Sequence, residues 1–249
     1  MHIIASLMLV LGLAAQSDFF DIKAQHHRAA KSYDYDFYFL DFIRSNRGSG
    51  SRLVDIGGGS GQFAALVKDA CPDIQVSVVD PSIELMRRIP RQDIAKVQGW
   101  LPSCLNVTGP FDFVHVKEVL HHITGRSVVE SKSLAMESLL ATKRILNPKG
   151  YFSVHELYYE SYLHPKLTRT MIFYVLRVQN RLKIRIPGKH FLRDLQVCFY
   201  TREEFTEILK NAGFEVVLAK EEEWQNVSSK KLMFMRNWGR MLFVCRVRR

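Results

Sequence analysis

Short apolar runs alternate with longer stretches of helical periodicity through most of the chain. The runs "RLVDI" (52–56), "QVSVVD" (75–80), "IAKVQ" (94–98), "FDFVHV" (111–116), "GYFSVHEL" (150–157), "FEVVLAK" (214–220) and "RMLFVCRV" (240–247) predict seven strands. "GQFAALVKDA" (61–70) places Phe63, Leu66 and Val67 on one side of a helix. "SVVESKSLAMESLLATKRIL" (127–146) is a long helix stopped by Asn147-Pro148. Thr201 and Glu204 form a capping box for a helix that ends near Gly213. The pattern is that of an α/β protein. Residues 158–198 interrupt it, as an insertion placed to cover a substrate above the carboxyl ends of the strands. Upstream, "FFDIKAQHHRAAKSYDYDFYFLDFIRS" reads as one or two helices, and "NRGSGS" (46–51) as a hinge. Two regions follow: an N-terminal apolar segment with a helical cap over 1–48, and a ligand-binding domain over 49–249.

The first strand runs into Gly57, Gly58, Gly59 and Gly61. A glycine-rich turn between strand and helix lets backbone approach a ligand and aims the helix N-terminus at it. The dinucleotide fingerprint G-x-G-x-x-G, aligned on Gly57 and Gly59, needs a glycine where Gln62 stands. The spacing that fits is D-x-G-x-G-x-G, from Asp55 to Gly61. A carboxylate at Asp55 repels a pyrophosphate and attracts a cation. A ligand with an ammonium and a sulfonium and no phosphate suits this loop, and S-adenosylmethionine is such a ligand. Asp80 ends the second strand, where an acid can accept from both ribose hydroxyls.

With these pieces the chain resembles the class I S-adenosylmethionine-dependent methyltransferases, of the small-molecule, quinone-biosynthesis-like type. The matching stretches are "LVDIGGGSG", "VVDPS", "FDFVHVKEVLHHI" (111–123), "ILNPKGYFSVHE" (145–156) and, less closely, "TREEFTEILKNAGFEVV" (201–217). The resemblance implies a Rossmann-like sheet of seven strands, mostly parallel with the last antiparallel, and helices on both faces. It implies S-adenosylmethionine as cofactor, held by Asp55, Gly57, Gly59, Gly61, Asp80, Pro81, Trp100, Leu101 and Lys117. The family often has Gly-Asp after strand three. Here "GWLP" (99–102) stands instead, so Trp100 is expected to stack on adenine while backbone groups read its amine, with a core position beside Leu101 as the alternative.

Methyl transfer needs a nucleophile held about 3 Å from the methyl carbon, and a base where that nucleophile is a hydroxyl. Strand four ends in His121 and His122, of which at most one is expected to face a pocket. On strand five, alternation points Glu156 and Tyr158 the same way, opposite to His155 and Leu157. His121, His122, Glu156 and Tyr158 are therefore the candidate catalytic residues. The alternatives are a packing histidine and exposed surface positions for Glu156 and Tyr158. Strand four carries no N-P-P-Y or D-P-P-Y, and no Pro-Cys supplies a nucleophile for cytosine methylation. Both absences favour a small-molecule acceptor. No metal is expected.

With 47% apolar and 24% charged residues, the composition is that of a globular protein. Cys71, Cys104, Cys198 and Cys245 form no C-x-x-C pair, which points to reduced thiols and a cytoplasmic location. The net charge of +10 is uneven. Eight Lys/Arg and no acid lie between Ser161 and Arg193, and seven Lys/Arg and no acid between Gln225 and Arg249. An anionic partner or a solvated face would account for this. The apolar run in "MHIIASLMLVLGLAAQSDFF" is short for a membrane span and lacks the basic residues that precede a signal-peptide core. A membrane-associated or packed N-terminal helix is expected, with a cleaved signal as the alternative. The expected function is methyl transfer to a small, apolar or lipid-like acceptor, peripherally at an anionic membrane surface. RNA or protein methylation on the basic segments, or a non-catalytic subunit, are the alternatives. No recognised RNA-binding module accompanies those charges.

Overall fold

The computed structural model describes residues 34–184, 194–224 and 234–248. The N-terminal apolar stretch and its signal-peptide alternative lie outside the described residues. So do Arg185, Lys189 and Arg193 of the first basic segment and Lys230, Lys231 and Arg249 of the second. The chain divides into two units, Met1–Trp100 with Cys104–Val107, and Leu101–Ser103 with Thr108–Arg249.

The first unit contains α1 (Asp34–Asn46), β1 (Arg52–Ile56), α2 (Gln62–Ala70), β2 (Gln75–Asp80), α3 (Ile83–Arg87) and β3 (Ile94–Gln98). β1 and β3 both pair with β2 in parallel. Leu53, Val54 and Ile56 are all buried although they alternate in direction, as a strand covered on both faces requires. Phe63, Ala64 and Val67 form the inner face of α2, and Phe39 of α1 stacks on Phe63 at 5.8 Å. Lys68 lies on that inner face because its ammonium donates to the carbonyls of Pro72 (2.8 Å) and Ile74 (3.0 Å).

The second unit contains β4 (Phe111–Lys117), a 3-10 turn (Leu120–His122), α4 (Val128–Ile145), β5 (Leu146–Ser161), α5 (Leu167–Arg181), α6 (Arg202–Asn211), β6 (Phe214–Glu223) and β7 (Met235–Val247). β4 and β5 are parallel, and β7 runs antiparallel to both β5 and β6. The strand order β3-β2-β1-β4-β5-β7-β6 is the seven-stranded, mostly parallel Rossmann-like arrangement that the sequence predicts.

β6 and β7 are longer than their sequence patterns, and β5 exceeds its own the most. β5 was expected over 150–157 and extends from Leu146 to Ser161. β4 stops at Lys117, opposite His155. Beyond that point β7 supplies the partners, from Met241 opposite Glu156 to Met235 opposite Ser161. On the other side, Tyr158 bridges to Tyr200. The six residues past His155 thus form an overhang whose backbone is paired by segments distant in sequence.

Three helices of this unit meet at Glu204. Its carboxylate is 3% exposed. It accepts from Arg169 Nε (2.8 Å) and Nη2 (2.5 Å) on α5, and from Lys132 Nζ on α4. It also completes the capping box with Thr201 that starts α6, as the sequence predicts. Burial alone would raise the Glu204 carboxyl pKa. The hydrogen bonds from Lys132 and Arg169 outweigh burial and hold it below the ordinary carboxylate value. A depressed carboxyl stabilises the fold above its unfolded pKa, and that contribution fades as pH falls through the folded value. Glu204→Gln leaves Arg169, Lys132 and, at 3.8 Å, Lys166 without their counter-charge. It is expected to cost about 3–5 kcal/mol at neutral pH. In denaturant titrations the gap between wild type and variant should narrow below about pH 4. A gap that stays constant with pH would remove the ion pairs from the account.

Candidate functional site

In the first unit, β1 delivers Asp55 to the glycine turn at 2% exposure. Gly57, Gly59 and Gly61 take φ of +74°, +53° and +71°. Gly58 lies against Asp55, so that a Cβ there would stand 2.5 Å from Oδ2. At Gly59 a Cβ would meet nothing closer than Leu85 Cδ1 at 3.6 Å, so space above the turn is open while the left-handed backbone favours glycine.

Asp80, at the end of β2, ties this turn to the next. Its Oδ2 accepts from Gly59 N at 2.9 Å and its Oδ1 from Ser82 N at 2.8 Å. Pro81 follows, half-buried, with its carbonyl accepting from Gln98 at 3.2 Å. Trp100 is half-buried and fixed by paired backbone bonds with Cys104. Its indole N–H has no hydrogen-bond partner among the described residues. A turn with open space, an acid at the end of the next strand and an indole without a partner among the described residues fit a ribonucleoside with a planar base.

In the second unit, Leu101 is buried at 2% exposure and Lys117 is half-buried at the end of β4. The overhang of β5 brings Glu156, fully buried, to the 3-10 turn. Glu156 Oε1 accepts from the backbone N–H groups of Val119 (3.0 Å) and Leu120 (2.7 Å). Its Oε2 lies 2.6 Å from His121 Nδ1. Glu156 already accepts two N–H groups, so Nδ1 of His121 serves as the third donor to it. The His122 ring lies 4.2 Å from that of His121, and a row of rings continues from His121 to Phe199 (5.1 Å), Tyr159 (4.5 Å) and Trp238 (5.8 Å).

The structure brings His121 and Glu156 together, with His122 beside them. Tyr158 joins a different group. It is buried, with the Arg202 guanidinium 5.0 Å above its ring, and its hydroxyl has no hydrogen-bond partner among the described residues. Burial pushes its phenol up to about 12, against the opposing charge of Arg202. Neither Glu156 nor Tyr158 is the surface residue that alternation alone allows, because the segment around Tyr200 covers this part of β5.

Sequence reasoning missed Glu118. It takes φ +54°, a conformation that stores strain in a non-glycine residue, and pairs with Arg240 Nε at 3.4 Å. Burial, with the charge of Glu118 adding to it, pushes Tyr159 up to about 12. The signal was an acid directly after a buried strand, in "VKEVLHH".

A family model described as a methyltransferase domain matches residues 25–219. No curated protein matches the chain. Solved structures similar in fold include the YcgJ protein of Bacillus subtilis, at TM-score 0.59 and 12% identity over 88% of this chain and 99% of that one. Phosphoethanolamine N-methyltransferase 2 of Haemonchus contortus, in complex with S-adenosyl-L-methionine, is similar at TM-score 0.57 and 17% identity over 88% of this chain and 53% of that one. A cysteine-to-alanine variant of LepI, in complex with SAH and a substrate analogue, is similar at TM-score 0.57 and 13% identity over 89% of this chain and 50% of that one. The chain thus spans about half the length of the last two. With the glycine turn, Asp80 and the strand order in place, a model that covers most of the sequence decides the family: the chain belongs to the methyltransferase-domain proteins and is an S-adenosylmethionine-dependent methyltransferase.

Proposed function

We propose that the chain methylates a small, apolar or lipid-like acceptor through a group that loses a proton, with His121 as the base and Glu156 as its positioning residue. The observation that carries this reading is the buried Glu156 carboxylate, which holds His121 by Nδ1 at 2.6 Å. S-adenosylmethionine supplies a methyl carbon activated by positive sulfur. Asp55, Gly57, Gly59, Gly61, Asp80, Pro81 and Trp100 of the first unit would hold it.

Once bound, S-adenosylmethionine would give its methyl group to the acceptor's lone pair and leave as the neutral thioether. The acceptor's proton passes to Nε2 of His121, and the resulting imidazolium is stabilised by the Glu156 carboxylate. The tilted rings of Phe199, Tyr159 and Trp238 continue from His121 and make its surroundings apolar. A similar chain is named for phosphoethanolamine, itself a small molecule.

Calorimetry should show binding of S-adenosylmethionine and none of NAD. Asp55→Ala and Gly59→Val should each abolish it, and Asp80→Asn should weaken it by about 1.5–3 kcal/mol. Tight NAD binding, or unchanged affinity in all three variants, would contradict the cofactor site. With methyl-labelled cofactor and an apolar metabolite extract, label should enter the organic phase. His121→Ala should slow this about 10²–10⁴-fold while cofactor affinity is kept. Glu156→Gln should be equally slow, because its amide can donate to Nδ1 and move the imidazole proton to Nε2. Label entering RNA or protein instead, or full transfer by both variants, would sink the proposal. No transfer to any fraction would favour a non-catalytic subunit.

A further inference from the structure

α5 partly inverts the usual order of a surface helix, burying polar residues beside Phe173 and Leu176. Its buried positions include the polar Thr168, Arg169 and Gln179. Its outward positions Tyr174, Val175, Val178 and Leu182 are apolar and 47%, 58%, 54% and 64% exposed. At about 100° per residue these four fall on one stripe of the helix. Ile184, just beyond, is 51% exposed.

The inversion has a cause on the inner side. Glu204 draws Arg169 inward, and Arg177 donates to the Gly125 carbonyl at 3.0 Å with its guanidinium over the Phe173 ring. Arg169 and Arg177 are therefore spent on internal contacts, and Lys166 pairs with Glu204 at 3.8 Å. Arg181 and Lys183 remain exposed at the end of the stripe. Between Ser161 and Arg193 no acid offsets them.

We propose that this stripe docks on an anionic lipid bilayer. The apolar side chains enter the headgroup boundary and Arg181 and Lys183 meet lipid phosphates. Charge and polarity together select this partner. An isologous antiparallel contact would set Arg181 and Lys183 beside the start of the partner copy's helix, and no acid between Ser161 and Arg193 would meet them there. A nucleic acid would use the cations and leave the apolar stripe in water. Contiguous exposed apolar surface of this kind marks an interaction site. No helix among the described residues is long and apolar enough to cross a bilayer, so the contact is peripheral along the helix.

Flotation of the full chain with phosphatidylcholine vesicles, with and without phosphatidylserine, tests this. Binding should require phosphatidylserine and weaken at high salt. Val175→Glu with Val178→Glu should reduce it about tenfold or more, and Arg181→Gln with Lys183→Gln should remove its salt dependence. These positions are exposed, so thermal midpoint and S-adenosylmethionine affinity should not change. Retained cofactor affinity separates failure of the docking surface from failure of the methyltransferase reading. Wild type that ignores phosphatidylserine overturns the proposal, as does binding that survives both variant pairs or prefers RNA at matched salt. Self-association lost on Val175→Glu with Val178→Glu assigns the stripe to a second copy and overturns it too.

Discussion

The buried carboxylate of Glu156 imposes the central constraint on the second unit. An ionised group with no exposure must have its charge met by donors that point at it. The backbone of Val119 and Leu120 provides two, and His121 the third. This fixes the direction in which the chain leaves β4, the orientation of the His121 ring and the overhang of β5. The Cys198 N–H then donates to the His121 carbonyl at 2.7 Å, and the segment that follows pairs with β5 through Tyr200. A single side chain thus organises the carboxyl end of β4, the 3-10 turn and the returning segment.

The first unit was largely legible in the sequence, for a physical reason. Strands buried on both faces are short apolar runs, and β1, β2 and β3 have the expected limits. The glycine turn could be read because only glycine accepts its left-handed backbone without cost. The second role of Asp80, accepting from Gly59 N and Ser82 N, was not visible, because it depends on where two turns meet. In the second unit the pattern failed where partners are remote. "YYES" and "EEE" do not read as strands, yet β5 and β6 continue through them because β7 pairs with both. Tyr158 shares a strand with Glu156 but belongs to the Arg202 group.

Net charge was the least reliable guide. The basic segments look uniform in sequence, but folding divides them. Arg169 serves Glu204, Arg240 pairs with Glu118, and Arg246 pairs with Glu215 at 2.9 Å. Acids supplied from other elements neutralise cations that have no acid nearby along the chain. What remains outward on α5 is an apolar stripe with cations at its end, a different signal from the one the charge count gives.

The account turns on the state of one imidazole, which a long-range proton–nitrogen NMR correlation spectrum of the histidine rings reads directly. At neutral pH, His121 should appear as the tautomer with the proton on Nδ1, assigned by its loss in His121→Ala. A proton on Nε2 instead would leave no lone pair for the acceptor's proton and would contradict the role given to the pair.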